Sequence, residues 1–373
     1  MSDLAGPRGH IVGLDAWRAA LMLGGVLLHG SIGLPATGLF RAVDIISQTF
    51  RMGAFFGIAG VLTALVMTKR SPGAWLRRRT IQLGVPLAFG IAVLSPFLYL
   101  IARLGGAEPP PLPFQWYHLW FLAGLLLYSA IVYALVQARF DTAIVARIEA
   151  LIAHGRLRPS TVLLATAVAS AMLFGAAPRA MAATMSASAI AAFPTLQLIA
   201  GYLPMFLLGY LVGRIPAFST AMLTQRRGAA AVVVAVALGY LVWFWGIAPY
   251  LDPASEAIGT SRMRFVAAAI CPPAAFVLIL RSALDVQRMP TIVKRVAMAS
   301  YTIYLLHLPL AAAINLALRP LAPGPYLSYA IAVTGSVVLS FTFHEHVVRR
   351  SAVLALVLNG KPLFRPIPAP SAP

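Results

Sequence analysis

The sequence predicts an all-helical integral membrane protein, a single bundle of about ten transmembrane helices. Apolar residues make up 60% of the 373-residue chain and charged residues only 10%, whereas roughly a quarter of the residues in soluble domains are charged. Hydrophobic runs of about twenty residues, each long enough to cross ~30 Å of hydrocarbon, fill almost the whole length. No linker divides them, so one continuous membrane domain is predicted instead of several soluble ones.

Ten hydrophobic runs follow one another along the chain. They are residues 14–34, 45–67, 81–101, 117–137, 161–177, 195–213, 229–248, 263–280, 297–318 and 327–346. The fifth run is the least certain, because the Ala-, Met- and Ser-rich stretch 180–193 after it could cross the membrane again or lie at its surface. We keep ten spans, since another crossing would move Arg226, Arg227 and Arg288 to the opposite side, against the distribution of charge.

The charges of the connecting segments alternate in the way that sets membrane topology. Segments on one side of the predicted spans contain 21 Lys and Arg residues, and those on the other side contain five, Arg41, Arg103, Arg179, Arg262 and Arg319. Basic residues are retained on the cytoplasmic side during insertion, so both termini are predicted to be cytoplasmic. The formal net charge of +19 therefore reflects topology in a lipid bilayer, and no nucleic-acid partner is needed to explain it.

The chain is predicted to divide into a cytoplasmic N-terminus at residues 1–13, a single transmembrane domain at 14–348, which would carry the activity, and a proline-rich cytoplasmic tail at 349–373. The first hydrophobic run is too long for the core of a signal peptide, so it is expected to be retained. Pro109–Pro113 predicts a stiff external loop. The cytoplasmic connection 138–160 has room for a short amphipathic helix.

The first span carries three ionisable side chains, which cost about 2.5–3.5 kcal/mol each inside a membrane helix and usually mark a functional site. Arg18 and His29 are eleven residues apart, close to three full turns, so they share one helix face about 16 Å apart. Asp15 lies one turn before Arg18 and can pair with it. Asp15 and Arg18 could instead only anchor the helix at the cytoplasmic interface. His29 lies beyond the midplane, where no anchor is needed, so a functional role is favoured.

Arg51 lies in the outer half of the second span. The first two spans run antiparallel, so Arg51 is predicted at a depth similar to that of His29. A buried guanidinium needs an acceptor, either a protein group or an anionic substrate. No acidic residue nearby in sequence obviously serves, which favours the substrate.

Two later spans contribute further histidines. His118 begins the fourth span inside an aromatic stretch, where it either belongs to an interface belt or lines an entrance at the outer face. His307 lies near the middle of the ninth span, and Tyr304, one turn earlier, faces the same way. Pro309 follows and is expected to expose backbone carbonyls on that face.

Glu345 ends the tenth span between His344 and His346. Consecutive helix positions point in different directions, so these three residues are not predicted to form a metal site. The spacings typical of zinc proteases, nucleophilic serines, phosphate-binding loops and dinucleotide-binding folds are absent as well. These absences leave a histidine base as the strongest catalytic candidate, with no metal and no tightly bound cofactor expected.

Several motifs together resemble the membrane-bound acyltransferase 3 family. The motifs are Gly13–Arg18, Arg18 and His29 with ten residues between them, Phe50–Met52 followed by Phe55, Phe56 and Gly60, Arg77–Arg79, His118–Leu122, Ser300–His307 and the late Glu345. They extend over about residues 13–350. Phe50–Met52, His118–Leu122 and Tyr301–Pro309 in combination look most like the glucan biosynthesis protein C branch, whose members succinylate osmoregulated periplasmic glucans.

The chain departs from relatives in two respects. Ala59 stands where many relatives carry serine before the glycine. The sequence also ends soon after its tenth span, so it is expected to lack the extra hydrolase-like domain of some O-antigen acetylating relatives.

The resemblance implies a multi-pass O-acyltransferase of the bacterial inner membrane. Its co-substrate would be a cytoplasmic acyl-coenzyme A, carrying succinyl or acetyl, and its acceptor a carbohydrate hydroxyl such as that of a periplasmic glucan. The residues expected in catalysis are His29, as general base or acyl carrier, with Arg51 and Asp15. The residues expected to hold the phosphates of coenzyme A are Arg18, Arg77, Arg78 and Arg79. Those expected to contact substrate are His118, Tyr304, His307 and Glu345.

Two other classes of function compete with this interpretation. A proton-coupled membrane transporter would also place His, Arg and Glu inside a bundle of this size. Paired glycine- or proline-interrupted helices in matching halves, which usually indicate a carrier site, are not found in the sequence. A scaffold that assists a synthase without chemistry would not need both Arg18 and His29. The acyltransferase interpretation is therefore favoured.

Overall fold

The computed structural model describes residues 11–67, 71–106, 108, 113–192 and 195–361, and these residues form helices and turns without a strand. In chain order the helices are α1 (Val12–His29), α2 (Gly38–Met67), α3 (Pro72–Leu104), α4 (Tyr117–Gln137), α5 (Phe140–Ala153), α6 (Pro159–Thr184), α7 (Ala187–Ala192), α8 (Leu196–Arg214), α9 (Pro216–Leu223), α10 (Arg226–Tyr250), α11 (Pro253–Asp285), α12 (Thr291–Leu321), α13 (Pro325–Arg350) and α14 (Ala352–Asn359).

Within the described residues, nine helices are long and apolar enough to cross a membrane. They are α2, α3, α4, α6, α8, α10, α11, α12 and α13. Helix α1 is the remaining predicted span; it has 18 residues, but Asp15, Arg18 and His29 make it less apolar. The predicted fold class, an all-helical membrane bundle, is confirmed. The cytoplasmic placement of both termini stays a prediction.

The structure also describes most of the segment whose topology was least certain. Helix α6 continues to Thr184, and the six residues of α7 are too few to cross a bilayer. The stretch 180–193 therefore does not form a second crossing in its described residues. The connection 138–160 contains α5, the short helix predicted there. Three predicted segments fall wholly or largely outside the described residues, namely 1–10, 109–112 and 362–373.

Helices α2 and α3 each contain one wide π-helical turn, at Ser47–Arg51 and Gly90–Leu94. A π turn accommodates an extra residue in the helix and often occurs at functional sites. The turn in α2 ends at Arg51, and it redirects the backbone at the point where this side chain leaves the helix toward α1.

Helices α2 and α8 pack backbone against backbone through glycine. A Cβ atom added to Gly60 would collide with the carbonyl oxygen of Phe206, and one added to Gly209 would collide with the carbonyl oxygen of Gly57. Small residues let membrane helices approach closely and gain van der Waals contact. This contact fixes α2, and with it Arg51, against the rest of the bundle.

A buried ion pair attaches α5 to α8. Asp141 is 5% exposed, and it accepts hydrogen bonds from Arg214 Nη2 at 3.0 Å and from the Tyr210 hydroxyl at 3.1 Å. Removing one partner of a buried pair leaves an uncompensated charge. The long connection after α4 is therefore held firmly against the bundle.

We expect Gly209→Ala to lower the thermal unfolding temperature of the detergent-solubilised protein by several degrees. The added methyl group meets the Gly57 backbone, and overpacking a close contact costs about 1–3 kcal/mol. Gly228→Ala is the matched control, because a Cβ atom there has no neighbour within 4 Å. Equal unfolding temperatures for the two variants would contradict the close contact between α2 and α8.

Candidate active site

Three histidines from separate helices meet near the C-terminal end of α1. His29 is the last residue of α1, His118 lies in the first turn of α4 and His307 lies in α12. The ring centroids are 5.1 Å apart for His29 and His307, 5.0 Å for His118 and His307, and 6.0 Å for His29 and His118. We call these residues the histidine group. His118 and His307 are buried, and His29 keeps partial exposure, which makes it the least enclosed of the three rings.

The hydrogen bonds of the histidine group determine which nitrogen of His29 is basic. His307 Nδ1 lies 2.6 Å from the backbone oxygen of Tyr304, which can only accept, so this nitrogen carries a proton. In neutral His307, Nε2 is then an acceptor, and it lies 2.8 Å from His29 Nδ1. His29 therefore donates from Nδ1 and keeps the free lone pair on Nε2. The arrangement presents a base or a nucleophile at His29 Nε2.

The backbone of α12 provides the acceptors for this group. Pro309 has no N–H to bond the carbonyl of Leu305, four residues earlier, as the sequence predicted for this face. His118 Nε2 lies 3.2 Å from the Tyr304 oxygen and close to the Leu305 carbonyl. In return, the Tyr304 hydroxyl donates to the backbone oxygen of His118. The start of α4 is thus locked to α12, and Tyr304 holds the site together through both its backbone and its hydroxyl.

Helix α1 is held at both ends by side chains of neighbouring helices. Near its start, Trp17 Nε1 donates to Ser282 Oγ at 2.8 Å. At its end, Asn315 Nδ2 donates to the backbone oxygens of Gly30 and Ile32, both at 2.9 Å, which satisfies carbonyls that a helix end leaves without a donor. Sequence reasoning missed Asn315, although a buried amide inside a membrane span is itself a signal.

Arg51 reaches α1 from the π-helical turn of α2. Its Nε donates to Ser47 Oγ at 2.7 Å, and its Nη1 lies 3.3 Å from the backbone oxygen of Leu21. The side chain packs over Gly24 and Gly25, one to two turns before the histidine group. No carboxylate in the described part of the chain pairs with it. Its described partners are a hydroxyl and a backbone oxygen, so the guanidinium charge is available to an anion at that depth.

A cleft of about 1470 Å³ opens at the other end of α1. The basic side chains that line it are Arg18, Arg78, Arg79, Lys294 and Lys361. Arg18 also makes the predicted pair with Asp15, at 3.4 Å. Arg77, the remaining arginine predicted to bind phosphate, is exposed and is not part of this lining. The cleft therefore concentrates positive charge at the end of α1 opposite the histidine group.

Three buried polar atoms that line the cleft have no hydrogen-bond partner among the described residues. They are Thr63 Oγ1, Arg79 Nε and Asn359 Nδ2. Buried polar groups are almost always hydrogen-bonded, so three unpartnered atoms on residues that line one cleft point to a polar ligand nearby. Asn359 ends α14, and Gly360 after it fits against the Gln82 backbone, where a side chain would collide. Sequence reasoning missed Asn359, because no local pattern shows that the chain returns to α3 after its last span.

Apolar side chains connect the cleft with the histidine group. Phe121 lines the cleft, and its ring centroid lies 4.5 Å from that of Tyr304. The Tyr304 ring is in turn 5.2 Å from His118. Met22 also lines the cleft, two turns before His29 on the same helix. The basic cleft thus continues along an apolar, aromatic wall toward His29.

Two predicted site residues lie away from the histidine group. Asp15 lies at the cleft, about 21 Å along α1 from the end of that helix. Glu345 Oε2 pairs with Arg295 Nη2 at 2.7 Å and with Arg349 Nη1 at 2.9 Å, outside the cleft lining. Its neighbour His344 hydrogen-bonds Thr302 at 2.8 Å, and the described residues contain no group of three that could hold a metal ion. Glu345 therefore pairs with two arginines and contacts neither the cleft nor the histidine group.

A protein-family model described as an acyltransferase domain matches residues 11–345. This range contains the histidine group, Arg51 and the whole cleft lining except Asn359 and Lys361. No curated protein and no solved structure matches the chain.

We expect Leu62→Cys to react with a membrane-impermeant maleimide, because Leu62 lines the cleft. Labelling should occur only when the face that carries the cleft is accessible in membrane vesicles. Ile58→Cys, one turn away on α2 and fully buried, is the matched control and should stay unlabelled, as should the buried native Cys271. Absence of labelling at Leu62→Cys would mean that the cleft is not open to water, and equal labelling of both variants would contradict the burial of Ile58. Mass spectrometry of the intact protein measures the outcome.

Proposed function

The chain belongs to the acyltransferase family whose model it matches, and we propose that it moves an acyl group from cytoplasmic acyl-coenzyme A to a carbohydrate hydroxyl. The family and the bundle establish a multi-pass membrane acyltransferase. The observation that carries the finer proposal is the placement of a basic cleft and a histidine base at opposite ends of α1. A polyanionic donor can bind at one end while its thioester reaches the other. We place the protein in a bacterial inner membrane.

The cleft has the chemistry that coenzyme A requires. Arginine and lysine side chains bind phosphate through charge-assisted hydrogen bonds, and Arg18, Arg78 and Arg79 supply them with Lys294 and Lys361. The open donors at Arg79 Nε and Asn359 Nδ2 add hydrogen bonds to the same ligand. The pantetheine arm would follow the apolar wall formed by Met22 and Phe121, and this path covers the ~16 Å between Arg18 and His29.

In the first route, His29 acts as a general base. His29 Nε2 removes the proton of the acceptor hydroxyl as the hydroxyl oxygen attacks the thioester carbon. The carbon–sulfur bond then breaks, the ester forms, and the proton passes from His29 to the coenzyme A thiolate. General-base catalysis of this kind contributes typically ~10²–10⁴ in rate. The His307 ring keeps His29 Nδ1 protonated, so Nε2 stays available.

In the second route, His29 carries the acyl group. His29 Nε2 attacks the thioester carbon and coenzyme A leaves as the thiolate. His307 Nε2 takes up positive charge by sharing the His29 Nδ1 proton across their hydrogen bond. The acceptor hydroxyl then attacks the acyl carbon, the bond from that carbon to His29 Nε2 breaks, and the ester forms. The shared proton returns from His307 to His29 Nδ1, and the hydroxyl proton neutralises the coenzyme A thiolate. Both routes use the same nitrogen, and they differ in whether an acyl group is found on His29 after rapid acid quench.

Arg51 is the candidate for binding negative charge near the reacting carbon. It lies beside α1 within the electrostatic reach of the histidine group, without a carboxylate partner in the described residues. A fixed cation there stabilises the oxyanion of the tetrahedral intermediate. For a succinyl donor, the free carboxylate of the acyl group is a second anion that Arg51 could bind. We propose succinyl as the group, and a periplasmic glucan as the acceptor, from the motifs that resemble the glucan-modifying branch.

The proposal is tested with purified protein in nanodiscs, given labelled succinyl- or acetyl-coenzyme A and a periplasmic glucan. We expect label on the glucan with the intact protein and a loss of at least ~10²-fold in rate with His29→Ala, because the base or carrier is removed. His346→Ala removes an exposed histidine and serves as the control for folding and for background.

Each result of this assay has a distinct meaning. Label released only as free acid would support donor use and contradict the glucan acceptor. Consumption of neither donor by any of the three proteins, with all of them folded, would contradict the acyl-coenzyme A proposal as a whole.

We expect His307→Gln to lower kcat by roughly tenfold to 10²-fold and to leave KM for the donor within about twofold. The donor binds in the cleft, which His307 does not line, whereas the tautomer of His29 depends on His307 Nε2 and contributes to the rate. Steady-state kinetics with varied acyl-coenzyme A measure both constants. A raised KM with unchanged kcat would contradict the positioning role of His307.

A further inference from the structure

A second pocket, of about 420 Å³, lies where α9, α10 and α11 meet. It is separate from the cleft and from the histidine group. The residues that line it are Ser219, Thr220, Leu223, Thr224, Arg226, Arg227 and Arg281, and we call it the arginine pocket. Guanidinium groups bind phosphate through charge-assisted hydrogen bonds, and three of them line this pocket. The Thr220 and Thr224 hydroxyls already donate to backbone oxygens, which leaves the Ser219 hydroxyl as the free hydroxyl donor.

The positive charge of the arginine pocket is poorly compensated within the protein. Arg226 and Arg227 make no ion pair with any residue that the structure describes, and Arg281 pairs with the exposed Asp285 at 3.1 Å. Arg226 and Arg227 also begin α10, whose first turn has no acidic residue and whose N-cap, Gln225, makes no side-chain cap. A helix N-terminus carries partial positive charge and unpaired N–H groups. Two cations placed there favour a bound anion.

Ser219 is an independent sign of a ligand. It is fully buried and lines the arginine pocket, yet its hydroxyl has no hydrogen-bond partner in the described chain. An unpartnered buried hydroxyl is unfavourable, because it has lost its hydrogen bonds to water without gaining others. A phosphate oxygen in the pocket would accept its proton and remove that cost.

The surroundings of the pocket indicate that the anion belongs to a lipid. In α10, Arg227 stands on the same face as Val234, Leu238 and Leu241, which follow at 7, 11 and 14 residues, near whole numbers of turns. These apolar side chains are 55%, 55% and 46% exposed. None of the most apolar part of α10 is buried inside the protein. A continuous apolar stripe therefore runs from the arginine pocket along the outside of the bundle.

The pocket also lies at the membrane face where the cleft opens. Gly13, at the start of α1, packs directly against the backbone of Ala283, two residues after Arg281. Under the predicted topology this is the cytoplasmic face, where anionic headgroups attract basic residues.

We propose that the arginine pocket binds the phosphate group of an anionic phospholipid, with the acyl chains of that lipid along the apolar stripe of α10. Arg226, Arg227 and Arg281 hold the phosphate, and Ser219 donates to one of its oxygens. This site is independent of the acyl-transfer reaction and needs no particular donor or acceptor.

The test compares phosphatidylglycerol with phosphatidylcholine on the full-length protein. Native mass spectrometry counts bound lipid, and thermal unfolding in mixed micelles reports stabilisation. We expect one phosphatidylglycerol to be retained by the wild-type protein and to raise its unfolding temperature. The double variant Arg226→Gln, Arg227→Gln should bind it roughly tenfold more weakly, since two charges near the headgroup are lost. Arg156→Gln with Arg158→Gln removes the same charge from exposed positions outside the pocket and should bind as the wild type does.

Further measurements distinguish binding of a lipid from binding of free phosphate and from a nonspecific effect of positive charge. Inorganic phosphate at millimolar concentration should neither displace the lipid nor raise the unfolding temperature; equal stabilisation by phosphate alone would overturn the lipid assignment. Equal weakening in both double variants would show a diffuse charge effect and overturn the site. If the arginine variant fails to fold, Ser219→Ala and Arg227→Lys replace it, since both variants keep every charge. Unchanged lipid retention by both of these single variants would also overturn the proposal.

Discussion

The hydrogen bond between His29 and His307 is the interaction on which the site depends. It joins α1, which carries the donor-side Arg18, to α12, whose Tyr304 oxygen fixes the proton on His307. With the opposite tautomer, His29 would present an N–H to the substrate and could neither accept a proton nor attack a carbonyl. The Tyr304 contacts to His118 keep α12 and α4 in the arrangement that makes this bond possible. The protonation of His29 Nε2 thus depends on the backbone of α12, which is distant from α1 in the sequence.

The distribution of ion pairs explains why anions are directed to particular places. Asp141 is paired with Arg214, and Glu345 is paired with Arg295 and Arg349. These pairs hold helices together, and their charges are already compensated within the protein. The described partners of Arg51 and Arg79 are neutral, a serine hydroxyl, a backbone oxygen and a glutamine amide. Because polar groups inside a membrane protein must find partners within the protein or in a ligand, these unneutralised cations are where negative charge gains most. Arg51 lies beside the histidine group and Arg79 lies in the cleft.

Local periodicity made the fold and the central residues accessible from sequence, and contacts between distant segments set the limit. The spacing of Arg18 and His29 alone places them on one face at opposite ends of a span. His118 could be assigned only to an interface belt or an outer entrance, because its contact with α12 joins residues 186 positions apart. Asn359 follows the last span and gave no signal, since its return to the cleft depends on the packing of α14. Glu345 looked like a site because it is charged and near a helix end, while its partner Arg295 lies 50 residues earlier.

Because α1 is held at Trp17 and again at Gly30, it fixes the distance between the basic cleft, where we propose that donor phosphates bind, and His29, which we propose reacts. Under that proposal, the thioester of every donor would stop at the same depth, and the variable acyl part would extend past His29, away from the cleft. The few side chains around the end of α1 would then select acyl-chain length. A change of specificity would need substitutions only there, and the basic residues of the cleft could stay as they are.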